Sequence, residues 1–198
     1  MLAVGGIVAS GKSTVADLVG HELMAPVVSS DRTRKWLLGV EPTTPANPDA
    51  GSTGDSAGSP GPWTGAYSAE VTEAVYDEVF RRARAVLQSG RPVVIDASFR
   101  SLEHRKAARQ LASEAGVPFL FVECQAPSDI IRERLRRRDR EPSVSDARAD
   151  FLDDFVASWE PVDELGPSEH LVLDTSGSIE ENVEAIRSAS NQAPLRIV

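Results

Sequence analysis

Residues 6–13 have the types and spacing needed to hold a chain of phosphates. They read G-I-V-A-S-G-K-S and match the pattern GxxxxGK[ST]. The two glycines permit backbone angles that a Cβ would forbid, so successive N–H groups can turn toward one anion. In this pattern the lysine reaches the β- and γ-phosphates, and the hydroxyl of the next residue ligates Mg²⁺. The sequence therefore predicts a nucleotide site made of Gly6, Ala9, Ser10, Gly11, Lys12, Ser13 and Thr14, with Ser13 as a metal ligand.

Two aspartates that follow apolar runs could complete the chemistry of phosphoryl transfer. Asp31 comes after the short run 26–29, where a carboxylate can accept the proton of an attacking hydroxyl. The alternative is that Asp31 is a helix N-cap. Asp96 closes the apolar run 92–96 and is predicted to hold Mg²⁺ through water, in the manner of a Walker B carboxylate. The alternative for Asp96 is that it caps the next helix.

Three arginines near these aspartates could bind the acceptor of the phosphate. Arg34 comes three residues after Asp31, on the same face of a helix, and is predicted to hold an anionic group of the acceptor. A solvated arginine fits this spacing equally well. Arg100 and Arg105 follow Asp96 and are interpreted as facing the same acceptor site.

The arginine-rich segment 132–146 is interpreted as a lid. Arg134 and Arg138 are four residues apart and therefore lie on one helical face. Arginines that close over the phosphates would stabilise the charge of the transition state and exclude water. A solvated basic helix face is the main alternative, and a nucleic-acid patch is less favoured because the run lacks aromatic side chains. Thr175, after the last predicted strand, could form a rim around the nucleotide base or belong to a simple turn.

The elements that position these residues alternate along the chain. Apolar runs separated by amphipathic segments predict a five-stranded parallel sheet with right-handed crossovers. Ligands collect at the carboxyl ends of the strands in such folds. The phosphate loop, Asp31, Asp96 and Asp174 each follow a strand, so they should open onto one edge of the sheet. The predicted strands are 2–4, 26–29, 92–96, 118–123 and 171–173, and the predicted helices include 31–38, one capped by Ser68, 101–115 and 146–159.

Residues 41–66 interrupt this alternation. Prolines are mixed there with Gly, Ser, Thr and Asp, and almost no aliphatic side chains occur. A connection of that length inside a compact domain is generally mobile or functional. We interpret it as a flexible loop within one domain, 1–198, because a chain of 198 residues has room for one α/β core and neither side of the loop could bury a core alone.

Composition limits the partners and the location. A net charge of −9 argues mildly against broad binding to nucleic acids or membrane surfaces, which are themselves anionic. No apolar run approaches the ~18 residues needed to span a bilayer, and no signal peptide is recognisable. A cytoplasmic protein is the simplest interpretation. The single cysteine, Cys124, is predicted to be a buried thiol, and the three histidines show no metal-binding spacing.

Together the motifs resemble those of the small P-loop kinase-like proteins described as predicted kinases or AAA-family ATPases. That group is related to polynucleotide 5′-hydroxyl kinase, zeta toxin, gluconate kinase and chloramphenicol phosphotransferase. The resemblance implies a three-layer α/β/α P-loop NTPase fold, with Asp31 as the base and Arg34 as a phosphate-binding arginine. Arg134 or Arg138 would be the lid arginine. The resemblance rests on the segments 6–14, 29–35, 67–70, 93–99, 134–138, 143–147 and 173–177.

The resemblance implies a kinase that uses ATP and Mg²⁺ to phosphorylate a hydroxyl of a small molecule or a nucleic-acid end. The acceptor cannot be carried over, because residues 41–66 have no counterpart in the shorter kinases and lie where acceptor specificity is set. The alternative is a nucleotide-binding switch or slow ATPase that acts through a protein partner. The predicted catalytic residues are Lys12, Asp31, Arg34 and Arg138; ATP contacts extend to Arg134, Arg138 and Thr175; and Ser13 and Asp96 are the predicted metal ligands.

Overall fold

Five strands and seven α-helices make up the part of the chain that the structure describes. A computed structural model describes residues 1–42, 44, 63–138 and 152–192. None of the described helices is long and apolar enough to cross a membrane. Each predicted strand is present, with bounds within two residues of those predicted. The strands are β1 (Leu2–Gly5), β2 (Val27–Ser29), β3 (Val94–Asp96), β4 (Leu120–Gln125) and β5 (His170–Asp174); the helices are α1 (Lys12–Glu22), α2 (Ser30–Leu37), α3 (Ala69–Gln88), α4 (Leu102–Glu114), α5 (Ser128–Arg138), α6 (Leu152–Ala157) and α7 (Ile179–Gln192), with a 3₁₀ helix (Gly65–Tyr67) before α3.

The strands form one parallel sheet in the order β2-β3-β1-β4-β5. The central strand is β1, in which Val4 lies opposite Asp96 of β3 on one side and Val122 of β4 on the other. Chain connections leave toward both sides of β1, and such a switch point opens a crevice at the carboxyl edge of the sheet. The segment that follows β1 is the predicted phosphate loop, so the topology puts that loop at the crevice.

Helices cover both faces of the sheet because successive residues of a strand point to opposite faces. On one face Ala3 and Ile95 pack with residues of α3 and α4. On the other face Leu2 and Val94 pack with residues of α1 and α7. The predicted three-layer α/β/α fold is therefore confirmed.

Serines, and not the two aspartates, begin the helices that follow β2 and β3. Ser29 is the N-cap of α2, and Asp31 lies inside the first turn. Ser101 is the N-cap of α4, and its hydroxyl accepts a hydrogen bond from the His104 amide. The alternatives in which Asp31 or Asp96 caps a helix are therefore wrong, and neither carboxylate is committed to a helix end.

Three predicted segments lie partly outside the described residues. Only the two ends of 41–66 are described, and of the lid 132–146 only the portion within α5 is described. The predicted helix 146–159 is described from the start of α6 onward. Its aromatic side chains Phe155 and Trp159 pack in apolar surroundings, but in two separate clusters, because Trp159 lies beyond the end of α6.

Candidate active site

The phosphate loop predicted at residues 6–13 joins β1 to α1 in a conformation that needs its glycines. Gly6 has a φ of 142°, and a Cβ at this position would lie 2.4 Å from the carbonyl oxygen of Cys124. Gly11 has a φ of 89° and is the N-cap of α1, which begins at Lys12. The amino end of α1 therefore borders the loop, where its partial positive charge favours an anion.

Ser13 and Asp96 form a polar pair that suits a divalent cation. Asp96 ends β3 and is 6% exposed, and the Ser13 hydroxyl lowers the pKa of its carboxyl. Within the described residues, no group hydrogen-bonds the buried Oδ1 of Asp96. A hydroxyl beside a carboxylate with an unsatisfied oxygen suits Mg²⁺, which takes oxygen ligands and usually keeps several waters. These two residues would hold Mg²⁺ next to the phosphate loop.

Charged groups around Asp96 show which predicted site residues lie together. Burial raises the pKa of Asp96, and the charge of Lys12 lowers it. The negative charge of Asp31 raises the pKa, the Ser13 hydroxyl lowers it, and the exposed Asp17 raises it. Lys12, Ser13 and Asp31 are therefore near enough to Asp96 to shift its pKa. A cation bound there would favour the ionised carboxylate.

Replacing Asp96 with asparagine is expected to stabilise the ligand-free protein and to weaken its binding of Mg²⁺ with nucleotide. Because burial raises the pKa of this carboxyl, its ionised form costs stability above that pKa, and the cost disappears below the ordinary aspartate pKa. We expect Tm to rise near neutral pH by about 2–4 °C, or ~1 kcal/mol for a chain of this size, and the gain to vanish below about pH 4. Thermal unfolding across pH measures this effect. An unchanged or lower Tm near neutral pH would contradict it, and Asp17→Asn is the control.

Asp31 lies at the same edge of the sheet, one strand away from the metal pair. Helix α2 follows β2 directly, and Ser29 pairs with Asp96 in the register of β2 and β3. Asp31 is half-buried, and its charge reaches Asp96. Its carboxylate therefore lies beside the predicted phosphate and metal sites, where a base for an acceptor hydroxyl is required.

Arg34 is buried beside the end of the segment 41–66, so the alternative of a solvated arginine is wrong. Its side chain donates through Nη1 to the carbonyl oxygen of Ala66 at 2.6 Å, and its guanidinium carbon lies 4.4 Å from the centre of the Tyr67 ring. Within the described residues, no acceptor hydrogen-bonds its buried Nε. A buried donor without an acceptor costs stability unless a ligand supplies one.

The two arginines that follow β3 have different roles. Arg100 stacks on Trp63 at 3.8 Å from the ring centre; burial lowers its pKa, and the positive charge of Arg34 lowers it too. Arg105 is fully buried and donates to the Glu164 carboxylate at 2.6 Å and to three backbone carbonyls. The prediction that Arg105 faces the acceptor is therefore wrong, because its donors join α4 to the segment that follows α6.

Three residues that were not predicted from the sequence contact these arginines or an end of the segment 41–66: Lys35, Trp63 and Tyr67. Lys35 is 1% exposed and donates through Nζ to the carbonyl oxygen of Pro42 at 2.8 Å. The Tyr67 ring supports Arg34, and the Trp63 ring supports Arg100. Aromatic residues that return directly after a proline-rich run are a signal that could have marked the rings, whereas no sequence signal marks a buried lysine. Helix α2 thus contacts both described ends of the segment 41–66.

Arg134, predicted to belong to the lid, and Thr175, predicted to border the nucleotide base, contact each other and the phosphate loop. Arg134 donates through Nη1 to the Ala9 carbonyl at 3.2 Å and through Nη2 to the Thr175 carbonyl at 2.6 Å. The Thr175 hydroxyl donates to the Ser10 carbonyl at 2.6 Å. Both residues therefore contact the loop itself. The side chain of Arg138 lies outside the part of the chain that the structure describes, so its role stays a prediction.

Two further residues adjoin the loop. Cys124 lies on β4 and is 1% exposed, and burial raises the pKa of its thiol to about 12. The predicted buried thiol is confirmed, and such a thiol is a poor nucleophile because little thiolate forms. Thr14 is exposed in the first turn of α1. Its predicted contact with a nucleotide stays a prediction.

Comparisons with known proteins agree with the fold and the loop. The chain matches the AAA domain family over residues 1–162. Uncharacterized proteins of Mycobacterium tuberculosis and Mycobacterium bovis are each 31% identical to it over 176 residues, which make up 85% of this chain and 32% of each relative. The chain therefore spans about a third of the length of the curated relatives it matches.

Solved structures share this fold at low sequence identity. A sugar kinase from Janibacter sp. aligns with a TM-score of 0.68 and 22% identity over 98% of this chain and 95% of its own. Kti12 from Chaetomium thermophilum, in complex with ADP-AlF3, aligns with a TM-score of 0.67 and 16% identity over 97% of this chain and 98% of its own. The APS kinase CysC of Mycobacterium tuberculosis, in complex with AMPPNP and APS, aligns with a TM-score of 0.57 and 24% identity over 96% of each chain. The likeness shows the fold.

Proposed function

The chain belongs to the AAA-domain family, and we propose that it is a kinase that transfers the γ-phosphate of ATP to a hydroxyl group of an acceptor. One observation carries the proposal: Asp31 lies in the first turn of α2, directly after β2, and β2 ends in register with Asp96 at the edge of the sheet where the glycine loop joins β1 to α1. A phosphate loop and a metal pair alone would suit any NTPase. The half-buried carboxylate of Asp31 beside them suits an enzyme that deprotonates an acceptor.

Each group contributes separately to the proposed transfer. The loop amides and Lys12 bind the β- and γ-phosphates. Asp31 accepts the proton of the acceptor hydroxyl as the acceptor oxygen bonds to the γ-phosphorus, and the bond from that phosphorus to the bridging oxygen breaks to release ADP. Mg²⁺ held by Ser13 and Asp96 would offset the negative charge of the phosphates. Arginines of the proposed lid 132–146 would exclude water.

Arg34 and Arg100 favour an acceptor that carries an anionic group. The two positive charges are close enough for Arg34 to lower the pKa of Arg100. Each guanidinium lies over an aromatic ring, which covers one of its faces, and Arg34 has N–H donors besides the Nη1 that binds the Ala66 carbonyl. The buried Nε of Arg34 would gain its acceptor from that ligand. A carboxylate or phosphate group on the substrate that receives the phosphate would provide this hydrogen-bond acceptor.

Replacing Arg100 with methionine is expected to raise the KM for the acceptor about tenfold or more, with the KM for ATP unchanged. The substitution keeps an unbranched apolar stem against Trp63 but removes the charge. Steady-state kinetics with varied acceptor and varied ATP measure the two constants separately. Arg91→Met is the matched control, because Arg91 is exposed and precedes β3 at the opposite edge of the sheet. Equal acceptor KM values for the two variants would contradict a role of Arg100 in binding the acceptor.

A panel experiment tests the proposed activity directly. ATP labelled at the γ-phosphate is incubated with the protein, Mg²⁺ and a series of sugars, sugar acids, nucleosides, antibiotics and oligonucleotides. Transfer of label to one class supports the proposal, and anionic acceptors are expected to rank first. Release of label to water alone across the panel would favour the alternative of a slow ATPase that acts through a protein partner.

The similar solved structures support this proposal. They include a sugar kinase and an APS kinase that was solved with AMPPNP and APS. The acidic composition makes a nucleic-acid end a less favoured acceptor, since the net charge is −9. We place the reaction in the cytoplasm, where ATP is plentiful, and treat residues 1–198 as one catalytic domain.

A further inference from the structure

The second half of the phosphate loop is held from behind by a buried threonine. The Thr175 hydroxyl lies 2.6 Å from the Ser10 carbonyl oxygen and 3.1 Å from the Gln125 carbonyl oxygen, so its single hydrogen is donated to the nearer Ser10. The Thr175 amide donates to Gln125 at 2.8 Å, which fixes the backbone of the threonine to the end of β4. Thr175 is 6% exposed. A buried, doubly anchored hydroxyl therefore contacts a carbonyl of the loop.

Arg134 supports the same contact. Its Nη1 donates to the Thr175 hydroxyl oxygen at 3.1 Å and to the Ala9 carbonyl at 3.2 Å, and its Nη2 donates to the Thr175 carbonyl at 2.6 Å. A hydroxyl that accepts from a guanidinium becomes a stronger donor to its own acceptor. This guanidinium therefore hydrogen-bonds the loop and Thr175, in a geometry that orients backbone groups.

The contact between Thr175 and the Ser10 carbonyl also fixes the direction of the Gly11 N–H. The carbonyl of Ser10 and the N–H of Gly11 belong to one planar trans peptide, so they point in opposite directions. Because Thr175 holds the carbonyl on its own side, the Gly11 N–H points away from Thr175. Ala9 and Gly11 both have positive φ, at 56° and 89°, as in the backbone nests that bind anions. A Cβ on Gly11 would lie 3.1 Å from the Thr175 hydroxyl, so the two residues are in close contact.

We propose that Thr175, supported by Arg134, is a positioning residue that orients the Gly11 amide toward the phosphate chain of the nucleotide. The inference rests on the nucleotide binding in the proposed function, and it replaces the expectation that Thr175 borders the base. Thr175 acts through the loop on phosphates that it does not touch. Loss of its hydroxyl should therefore affect any ligand with a phosphate chain, whether or not the ligand carries a base.

Isothermal titration with Mg²⁺-tripolyphosphate and Mg²⁺-ATP tests the inference on three proteins: the natural chain, Thr175→Val and Thr175→Ser. Valine keeps the branched shape without the hydroxyl, and serine keeps the hydroxyl. We expect Thr175→Val to weaken both ligands about tenfold, the value of one well-placed hydrogen bond, and Thr175→Ser to bind as the natural chain does. The ratio of ATP to GTP affinity should not change. Thermal unfolding of each variant confirms that it is folded, and Arg134→Gln, which removes the supporting guanidinium, should weaken both ligands in the same way.

The NMR signal of the Gly11 amide provides a test that general destabilisation of the protein would not affect. In protein labelled with ¹⁵N-glycine, the Gly11 amide should shift strongly when tripolyphosphate binds, and Thr175→Val should reduce that shift while other glycines keep theirs. Unchanged tripolyphosphate affinity in Thr175→Val overturns the inference, as does a changed ATP to GTP ratio with tripolyphosphate binding intact, which would assign Thr175 to the base. If tripolyphosphate and ATP bind as expected but no acceptor is phosphorylated, the inference stands and the proposed kinase activity falls.

Discussion

Replacing Asp31 with asparagine is expected to slow phosphoryl transfer by about 10²–10⁴-fold, the usual contribution of a general base. The substitution keeps the shape of the side chain in the first turn of α2 but removes the group that accepts the proton. The phosphate loop and the metal pair lie on other elements, so the Kd for Mg²⁺-ATP should stay within about twofold. Single-turnover transfer to an acceptor found in the panel, with isothermal titration of Mg²⁺-ATP, measures the two effects.

Asp17→Asn is the matched control for this experiment. The Asp17 carboxylate also raises the pKa of Asp96, but Asp17 is exposed on α1. Both variants therefore remove one negative charge that acts on the metal pair, and only one removes the proposed base. Full transfer by Asp31→Asn would exclude Asp31 as the base. Equal losses in the two variants would show that the charge matters through Asp96 and not through proton transfer.

Replacing Lys12 with alanine is expected to weaken ATP binding about 100-fold or more and to make transfer undetectable. The lysine begins α1, beside the loop, and its charge is the largest interaction that lowers the pKa of Asp96. Its removal takes away a partner of the phosphates and also makes the buried carboxylate harder to ionise. Both effects act against Mg²⁺-ATP. Titration with Mg²⁺-ATP and the transfer assay measure them.

Lys106→Ala serves as the control for charge alone, because Lys106 is exposed on α4. Its affinity for Mg²⁺-ATP should equal that of the natural chain. The ligand-free Tm of Lys12→Ala should stay within about 2–4 °C of the natural value, since the side chain is partly exposed at a helix start. If Lys12→Ala bound Mg²⁺-ATP with natural affinity, residues 6–13 would not be the phosphate site.

The position and conformation of the glycine loop at residues 6–13 could be predicted from sequence because their determinants are local. The loop needs glycines, a lysine and a hydroxyl at set spacing, and one strand and one helix on either side. Asp31 and Asp96 could be placed at the same edge because parallel strands end at the same edge of a sheet. The residues that cap α2 and α4 could not be predicted in the same way, since Ser29 and Ser101 lie close to Asp31 and Asp96 and are equally suited to be N-caps.

The acceptor side could not be predicted in the same way. Arg34, Arg100 and Arg105 look alike in the sequence, yet one is buried against Ala66, one is stacked on Trp63, and one is bound to Glu164. Each outcome depends on a partner from another part of the chain. Spacing along a helix says which residues share a face, but it does not say what that face meets.

The sequence by itself determined the glycine loop, the alternation of strands and helices, and the edge at which residues 6–13, Asp31 and Asp96 lie, because these follow from local backbone needs and from hydrophobic periodicity. Only the tertiary structure decided which arginines stack on aromatic rings at this edge and which hold the chain together. A guanidinium binds whichever carbonyl or carboxylate lies within its reach, and the partners here are distant in sequence: Glu164 lies 59 residues from Arg105, and Ala9 lies 125 residues from Arg134.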